Sequence, residues 1–290
     1  MKKTILITGA TGAIGSATAL ELAKTGARVI LFSRNKTKLE KLKNEISKKT
    51  GNNEVDFLVA DFSLISSVKK AVTEFKQRYN RLDVLINTAA TYKSKREVTV
   101  DNLETMFAVN HLAPFIIANK LIDLLSESKP ARVITVTAPS KTKFKFDDLQ
   151  ARKNFSPLSA FGASKAMNLM FSYTLANKLA ETGITSIAFF PGLVKSDLTQ
   201  QMPKLLRFIT RLLSRKATKA AKMLTSLAVD PSYQNSNGKF YKFNGKEIKS
   251  SKYSEDKNIQ EKLWDISANL TGLSVPKEKI VITTLELISF

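Results

Sequence analysis

The chain has no cysteine and a single histidine, which excludes a disulfide framework and a thiolate-held metal and leaves too few imidazoles for a histidine-based metal centre. No apolar run approaches the roughly 18 residues of a membrane span. The opening MKKTILITGA has the basic start of a secretory leader, but its apolar stretch is short and runs into glycine, so a strand feeding a turn is the better reading and a cytoplasmic protein is expected. Pro/Ser/Gly-rich linkers are also missing, which favours a single domain over 1–273 followed by an extension, 274–290. Acidic residues are scarce, 25 Asp+Glu against 46 Lys+Arg, for a net charge of +21 spread along the chain. Such a field suits phosphorylated cofactors, anionic lipid or nucleic acid, and equally describes a solvated lysine-rich surface. No zinc module or RNA-binding signature accompanies it, so specific nucleic-acid readout is not expected.

What is present is a regular alternation of β-rich apolar runs and helical stretches. TILIT precedes a helix from Ile14 to Lys24, RVILFS one from Lys36 to Lys48, and VDFLVAD one from Ser66 to Tyr79. DVLIN, RVITVT and TSIAFFP continue the series, and a last helix lies around EKLWDISANL after a polar stretch that starts at FYKFNGKEIK. Near-continuous apolar strands alternating with helices predict a doubly wound parallel α/β sheet of the Rossmann type.

The residues after the first strand read TGATGAIG, where Gly9, Gly12 and Gly15 permit a tight turn and close approach of backbone N–H groups to a pyrophosphate at a helix N-terminus. At the end of the second strand stands Ser33-Arg34-Asn35. There is no carboxylate to accept from the ribose hydroxyls of NAD, whereas Arg34, with Lys36 and Lys38 nearby, can pair with a 2′-phosphate, so NADP(H) is the expected cofactor.

In their order, these motifs together with ADFSLISSV, DVLINTAA, VNHLAPF, PARVITVTA, FGASK, PGLVKSDL and a tail GKFY…EKLWDIS resemble the short-chain dehydrogenase/reductase family, and especially its retinol-dehydrogenase-like branch, over about residues 4–273. The resemblance implies a cofactor site of Thr8, Gly9, Gly12, Ile14, Gly15, Ser33, Arg34, Asp61, Asn87, Lys165, Pro191, Gly192 and Ser196, with Asp61 toward the adenine and Ser196 toward the nicotinamide carboxamide. It also implies catalysis by an asparagine, a serine, a tyrosine and a lysine. Asn110 and Lys165 match, but Phe161 stands at the tyrosine position and Ala138 at the serine position, so both working hydroxyls are missing. Two milder departures, Ala13 and Ala90 in place of glycines, bear on binding geometry rather than fold.

Substitutes for the lost hydroxyls are few. Ser140 and Thr137 flank Ala138 without the acidity of a phenol, Tyr173 is three helical turns from Phe161, and His111 reads as a packed or hydrogen-bonded residue. The expectation is an NADP(H)-binding protein with little or no standard dehydrogenase activity; the alternative is a genuine NADPH-dependent reductase working on a bulky apolar substrate by a tyrosine-independent route. A substrate lid is expected at about 197–222, where Lys204, Arg207, Arg211 and Arg215 share one helical face opposite Leu205, Leu206, Ile209, Leu212 and Leu213. Three readings of this segment stay open: it packs over the cleft, it lines a pocket for an apolar small-molecule ligand, or it lies on an anionic membrane surface. A homo-oligomer is a further expectation, and no function is assigned to 275–290.

Overall fold

The computed structural model describes residues 2–195 and 216–273. Most of the expected lid, Ser196 and the extension 274–290 lie outside the described residues. The strands are β1 Thr4–Thr8, β2 Arg28–Ser33, β3 Val55–Val59, β4 Val84–Asn87, β5 Ala131–Val136, β6 Ile184–Phe190 and β7 Phe240–Lys242. The helices are α1 Ala13–Ala23, α2 Lys36–Thr50, α3 Ile65–Arg78, α4 over 105–120, α5 Ile122–Glu127, α6 Pro157–Lys178, α7 Ala217–Val229, α8 Lys252–Glu255 and α9 Lys257–Thr271. Within α4 an α turn, Thr105–Phe107, passes through a π segment, Ala108–Leu112, into a second α stretch, Ala113–Lys120.

All seven strands pair in parallel in the order β3-β2-β1-β4-β5-β6-β7. The expected doubly wound sheet is therefore observed, with one strand more than the sequence pattern showed. β7 lies inside the stretch read as polar: three residues among lysines are too few to display a period of two, although Phe240 and Tyr241 are buried. The expected lid also loses its last residues to the sheet's flank, since 217–222 begin α7, which packs on α1.

Alternation along the strands divides the core. Ile5, Ile7, Val29, Leu31, Ile86, Ile134 and Ile187 face α1 and α7, while Leu6, Ile30, Phe32, Leu85 and Val133 face α3, α4, α6 and Trp264 of α9. The strand order reverses between β1 and β4, and their carboxyl ends, paired through Thr8 and Asn87, open the crevice in which such sheets hold ligands.

His111, on the π segment, ties this layer to the last helix. Its Nε2 lies 2.9 Å from Ser267 Oγ, and that hydroxyl donates its one proton to Leu263 O at 2.7 Å, so Nε2 carries a hydrogen and donates. The imidazole stacks against Phe107 with centroids 5.6 Å apart, and burial lowers its pKa from 6.5 to about 4. Between those values the unfolded chain binds a proton that the folded chain refuses. The stability of the neutral buried ring is thus whole above pH 6.5 and falls as the pH drops toward 4, by up to about 3 kcal/mol. His111→Gln should flatten the pH dependence of urea unfolding across this window; an unchanged slope would mean that the ring is not held neutral.

Candidate functional site

The turn after β1 is built from missing side chains. Gly9 has φ +64°, and a Cβ there would stand 2.6 Å from Ala89 Cα, so the turn presses directly on the backbone that leaves β4. A Cβ on Gly15 would meet Gly9 O at 2.4 Å, and on Gly12 the same oxygen at 3.2 Å. Gly12 is the N-cap of α1 and supplies no side-chain acceptor, which leaves N–H groups of the first turn free for an external anion. The Thr8 hydroxyl is committed to this joint, accepting from Thr88 N at 3.2 Å and Ala89 N at 3.3 Å. It braces the crevice floor. Ile14, second residue of α1, stands in the first turn of that helix.

Around the crevice, Ser33 Oγ lies 2.8 Å from Thr11 Oγ1 and links the end of β2 to the glycine turn. Arg34 is exposed and forms no ion pair among the described residues, while the next residue, Asn35, caps α2 by accepting from Lys38 N at 2.9 Å. Asp61 binds Ser63 N and Ser63 Oγ through Oδ1, at 2.9 and 2.7 Å, which holds its carboxylate at the rim. Asn87 is buried at the end of β4, and neither side-chain Nδ2 nor Oδ1 has a hydrogen-bond partner among the described residues. A buried amide with both ends open is costly unless something polar meets it. That orphan, together with the glycine turn beside it, fits a dinucleotide laid across the switch point. Pro191 is buried and Gly192, at φ +75°, lets the Phe243 ring come within 3.0 Å of where its Cβ would stand.

The second half of the site joins α4, α6 and the backbone after β4. Asn110, fully buried in the π segment, accepts from Thr91 N at 2.7 Å and donates to Thr91 O and to Ser164 Oγ, each at 3.0 Å. Ser164 in turn donates to Phe161 O at 2.8 Å. The local π winding turns Asn110 toward these partners; such one-turn bulges concentrate at functional sites. On the neighbouring turn of α6, Lys165 Nζ lies 5.3 Å from the centre of the Phe161 ring, and the ring of Tyr92 meets Phe161 edge-on at 5.7 Å. The turn beyond β5 is fastened to the same helix: Thr137 Oγ1 donates to Lys165 O at 2.6 Å and Ser140 Oγ to Gly162 O at 2.8 Å, with Ala138 between them offering only a methyl group. Both neighbouring hydroxyls have spent their protons on helix carbonyls.

The structure thus gathers Asn110, Phe161 and Lys165 and places Ala138 at their side. Tyr173 is elsewhere, bonded to Ser250 Oγ at 3.0 Å. Tyr92 was not singled out by the sequence reading. Its only signal there is position, two residues beyond Ala90 in NTAATY, and burial raises its pKa, so it is a neutral phenol rather than an activated one.

Lys165 is enclosed, and desolvation lowers its pKa from 10.5 to about 8. Between pH 8 and 10.5 the unfolded chain holds a proton that the folded chain has lost, so stability rises with pH through that window. Below pH 8 the folded protein bears the whole cost of an enclosed ammonium, about 3 kcal/mol less the part that the Phe161 ring returns. Lys165→Met should stabilise the cofactor-free protein at pH 7 by about 1–3 kcal/mol, a gain that vanishes above pH 10.5. Urea unfolding measures it, and a less stable variant at pH 7 would contradict the desolvation of this ammonium.

The family described as short chain dehydrogenase matches residues 3–205. Retinol dehydrogenase 12 of Mus musculus is 34% identical over 276 residues, covering 93% of this chain and 87% of that protein. Among solved structures, an uncharacterized protein from Mycobacterium Paratuberculosis superposes with a TM-score of 0.74 at 26% identity, over 94% of this chain and 95% of its own. A 3-ketoacyl-(acyl-carrier-protein) reductase from Brucella melitensis, solved with NADH, shares the fold with a TM-score of 0.65 at 22% identity, over 83% and 96%. Matches of that length extend well past the glycine turn, through both halves of the sheet, and they show that the chain belongs to the short chain dehydrogenase family, on its retinol dehydrogenase-like branch, with that family's oxidoreductase scaffold for a nicotinamide cofactor.

Proposed function

We propose that this protein binds NADP(H) and has lost ordinary hydride transfer between alcohols and carbonyls, acting as a binding or sensing component. The observation that carries the reading is the meeting of Lys165 with Phe161: the ammonium faces a hydrocarbon ring at the position where the family resemblance implies a tyrosine. A bound nicotinamide would supply a hydride. This chain would hold the cofactor through the glycine turn, Asn87 and Lys165, yet it offers no acid at Phe161 to protonate an alkoxide and no hydroxyl at Ala138 to hold a substrate oxygen. Losing a positioned proton donor removes about 10²–10⁴ in rate, and losing an oxyanion partner about 10²–10³ more. Cofactor affinity depends on neither group.

A second reading is favoured by Tyr92, whose phenol belongs to the ring packed edge-on against Phe161. On this reading the protein is a reductase for a bulky apolar substrate whose chemistry does not use the usual tyrosine. In either case the ligand is an apolar small molecule, in keeping with the name of the retinol dehydrogenase relative. The basic charge suits a cytoplasmic protein that touches anionic membrane peripherally; no helix among the described residues is long and apolar enough to cross one.

NADPH fluorescence titration should show saturable binding while the same protein leaves a panel of apolar aldehydes, ketones and alcohols unconverted. Phe161→Tyr combined with Ala138→Ser should raise aldehyde reduction by at least about 100-fold. Robust turnover by the unmodified protein would overturn the proposal, and loss of an existing activity on reversion would support the second reading.

The 2′-phosphate preference rests on Arg34, exposed at the end of β2 with no ion-pair partner among the described residues. Charge-assisted hydrogen bonds there should favour NADP over NAD by roughly ten- to a hundredfold at low salt, shrinking as salt rises. Arg34→Ala should erase most of this difference in calorimetry with little change in NAD affinity; equal affinity of the unmodified protein for both cofactors would contradict the assignment.

A further inference from the structure

Beside α6, away from Phe161, lies a half-open cavity of about 330 Å³ bounded by the segment 142–154, the start of α4 and the first turns of α6. Its volume is at the lower end of the range for small-molecule sites. Phe107, Phe144, Leu149, Ala160, Ala163 and Met167 provide an apolar wall. At 100° per residue, Ala160, Ala163 and Met167 point roughly 140° around the helix from Phe161 and Lys165, so this space is separate from the crevice at the sheet's carboxyl edge.

The segment that bounds the cavity alternates in its exposure. Lys141, Lys143 and Lys145 are exposed, and Thr142, Phe144 and Phe146, which alternate with them, are half-buried. Between 141 and 154 there are five basic residues and two acidic ones. The carboxylates at the cavity are already engaged: Asp147 pairs with Lys153 at 3.4 Å, Asp148 accepts from Arg152 N and Lys153 N at 2.6 and 3.1 Å, and Glu104 accepts from Met106 N and Phe107 N at 2.9 and 2.7 Å. Lys143 and Lys145 have no acidic partner among the described residues; Lys143 Nζ lies 6.0 Å from the centre of the Tyr253 ring, a contact that leaves its charge intact. Lysines and carboxylates both line this space, but Lys143 and Lys145 are the two lining ammonium groups outside any ion pair among the described residues, and set beside the apolar wall they are complementary to an amphiphile with an anionic head.

We propose that this cavity is a binding site for a long-chain carboxylate, with its hydrocarbon chain against α6 and its carboxylate at Lys143 and Lys145. The site stands apart from the cofactor crevice and does not rest on the hydride-transfer reading. It touches that region at one point, since Ser164 lines the cavity and also accepts from Asn110.

The test is calorimetric titration of the full chain with laurate below its micellar concentration, beside dodecanol as the uncharged chain of equal length and phosphatidylglycerol vesicles as the membrane source of anionic charge. Laurate should bind with one site per chain, at least tenfold tighter than dodecanol. Lys143→Ala with Lys145→Ala should weaken it about tenfold while NADPH affinity is unchanged, and Ala160→Phe, which fills the apolar end, should abolish it. Should the filled variant fail to fold, the lysine pair, both exposed, carries the test alone. Absence of laurate binding, equal binding of laurate and dodecanol, indifference to the lysine substitutions, or binding to vesicles without binding of free laurate would each overturn the proposal.

Discussion

Everything around the candidate site turns on one enclosed charge. Lys165 is buried on α6 with the Phe161 ring beneath its ammonium, and burial alone would favour expelling or neutralising it. The surrounding bonds oppose expulsion by fixing the helix on several sides. Thr137 and Ser140 fasten the turn after β5 to carbonyls of the Phe161–Lys165 region, Ser164 closes onto Phe161 O, and Asn110 couples Ser164 to the backbone after β4. The π segment of α4 gives Asn110 the direction that this coupling needs. Stability is thereby traded for a positively charged, dry wall beside the crevice.

On the proposed reading, the two halves of the site respond differently to Phe161 and Ala138, which stand where the family resemblance implies hydroxyls. The cofactor half depends on backbone geometry: the approach of Gly9 to Ala89, the uncapped start of α1 and the open amide of Asn87. None of these touches Phe161 or Ala138. The chemical half depends on side-chain protons, and the hydroxyls nearest Ala138 are already given to helix carbonyls. Under the proposed reading, binding survives with chemistry lost because these three features lie away from Phe161 and Ala138, and Lys165, the one proposed cofactor residue that meets the Phe161 ring, keeps its ammonium there.

Much of this was legible in the sequence. Strands β1 to β6 announced themselves as apolar runs and the glycine turn by its place after the first of them, whereas Asn110, Phe161 and Lys165 could be placed only through the family resemblance of their motifs. The short strand β7 could not, since three residues show no period, and its pairing with β6 is a long-range event. Tyr92 escaped for a related reason: a tyrosine beyond a strand end has no pattern, and only the packing of α6 against the loop brings it to Phe161. Nor could the cavity beside α6 be anticipated, because Glu104, Leu149 and Met167 meet only through tertiary contact. The alternating lysines of KTKFK were visible as charge, but which of them lacked a partner was not.

On the proposed reading, the nicotinamide-binding scaffold is kept while the proton donor is gone. A single-turnover experiment addresses it directly: protein in excess over NADPH deuterated at the transferable position, mixed with an apolar aldehyde, and the product alcohol examined by mass spectrometry. The account predicts no deuterium in the alcohol beyond the protein-free background, with NADPH bound throughout, whereas stoichiometric deuterium transfer by the unmodified protein would contradict it.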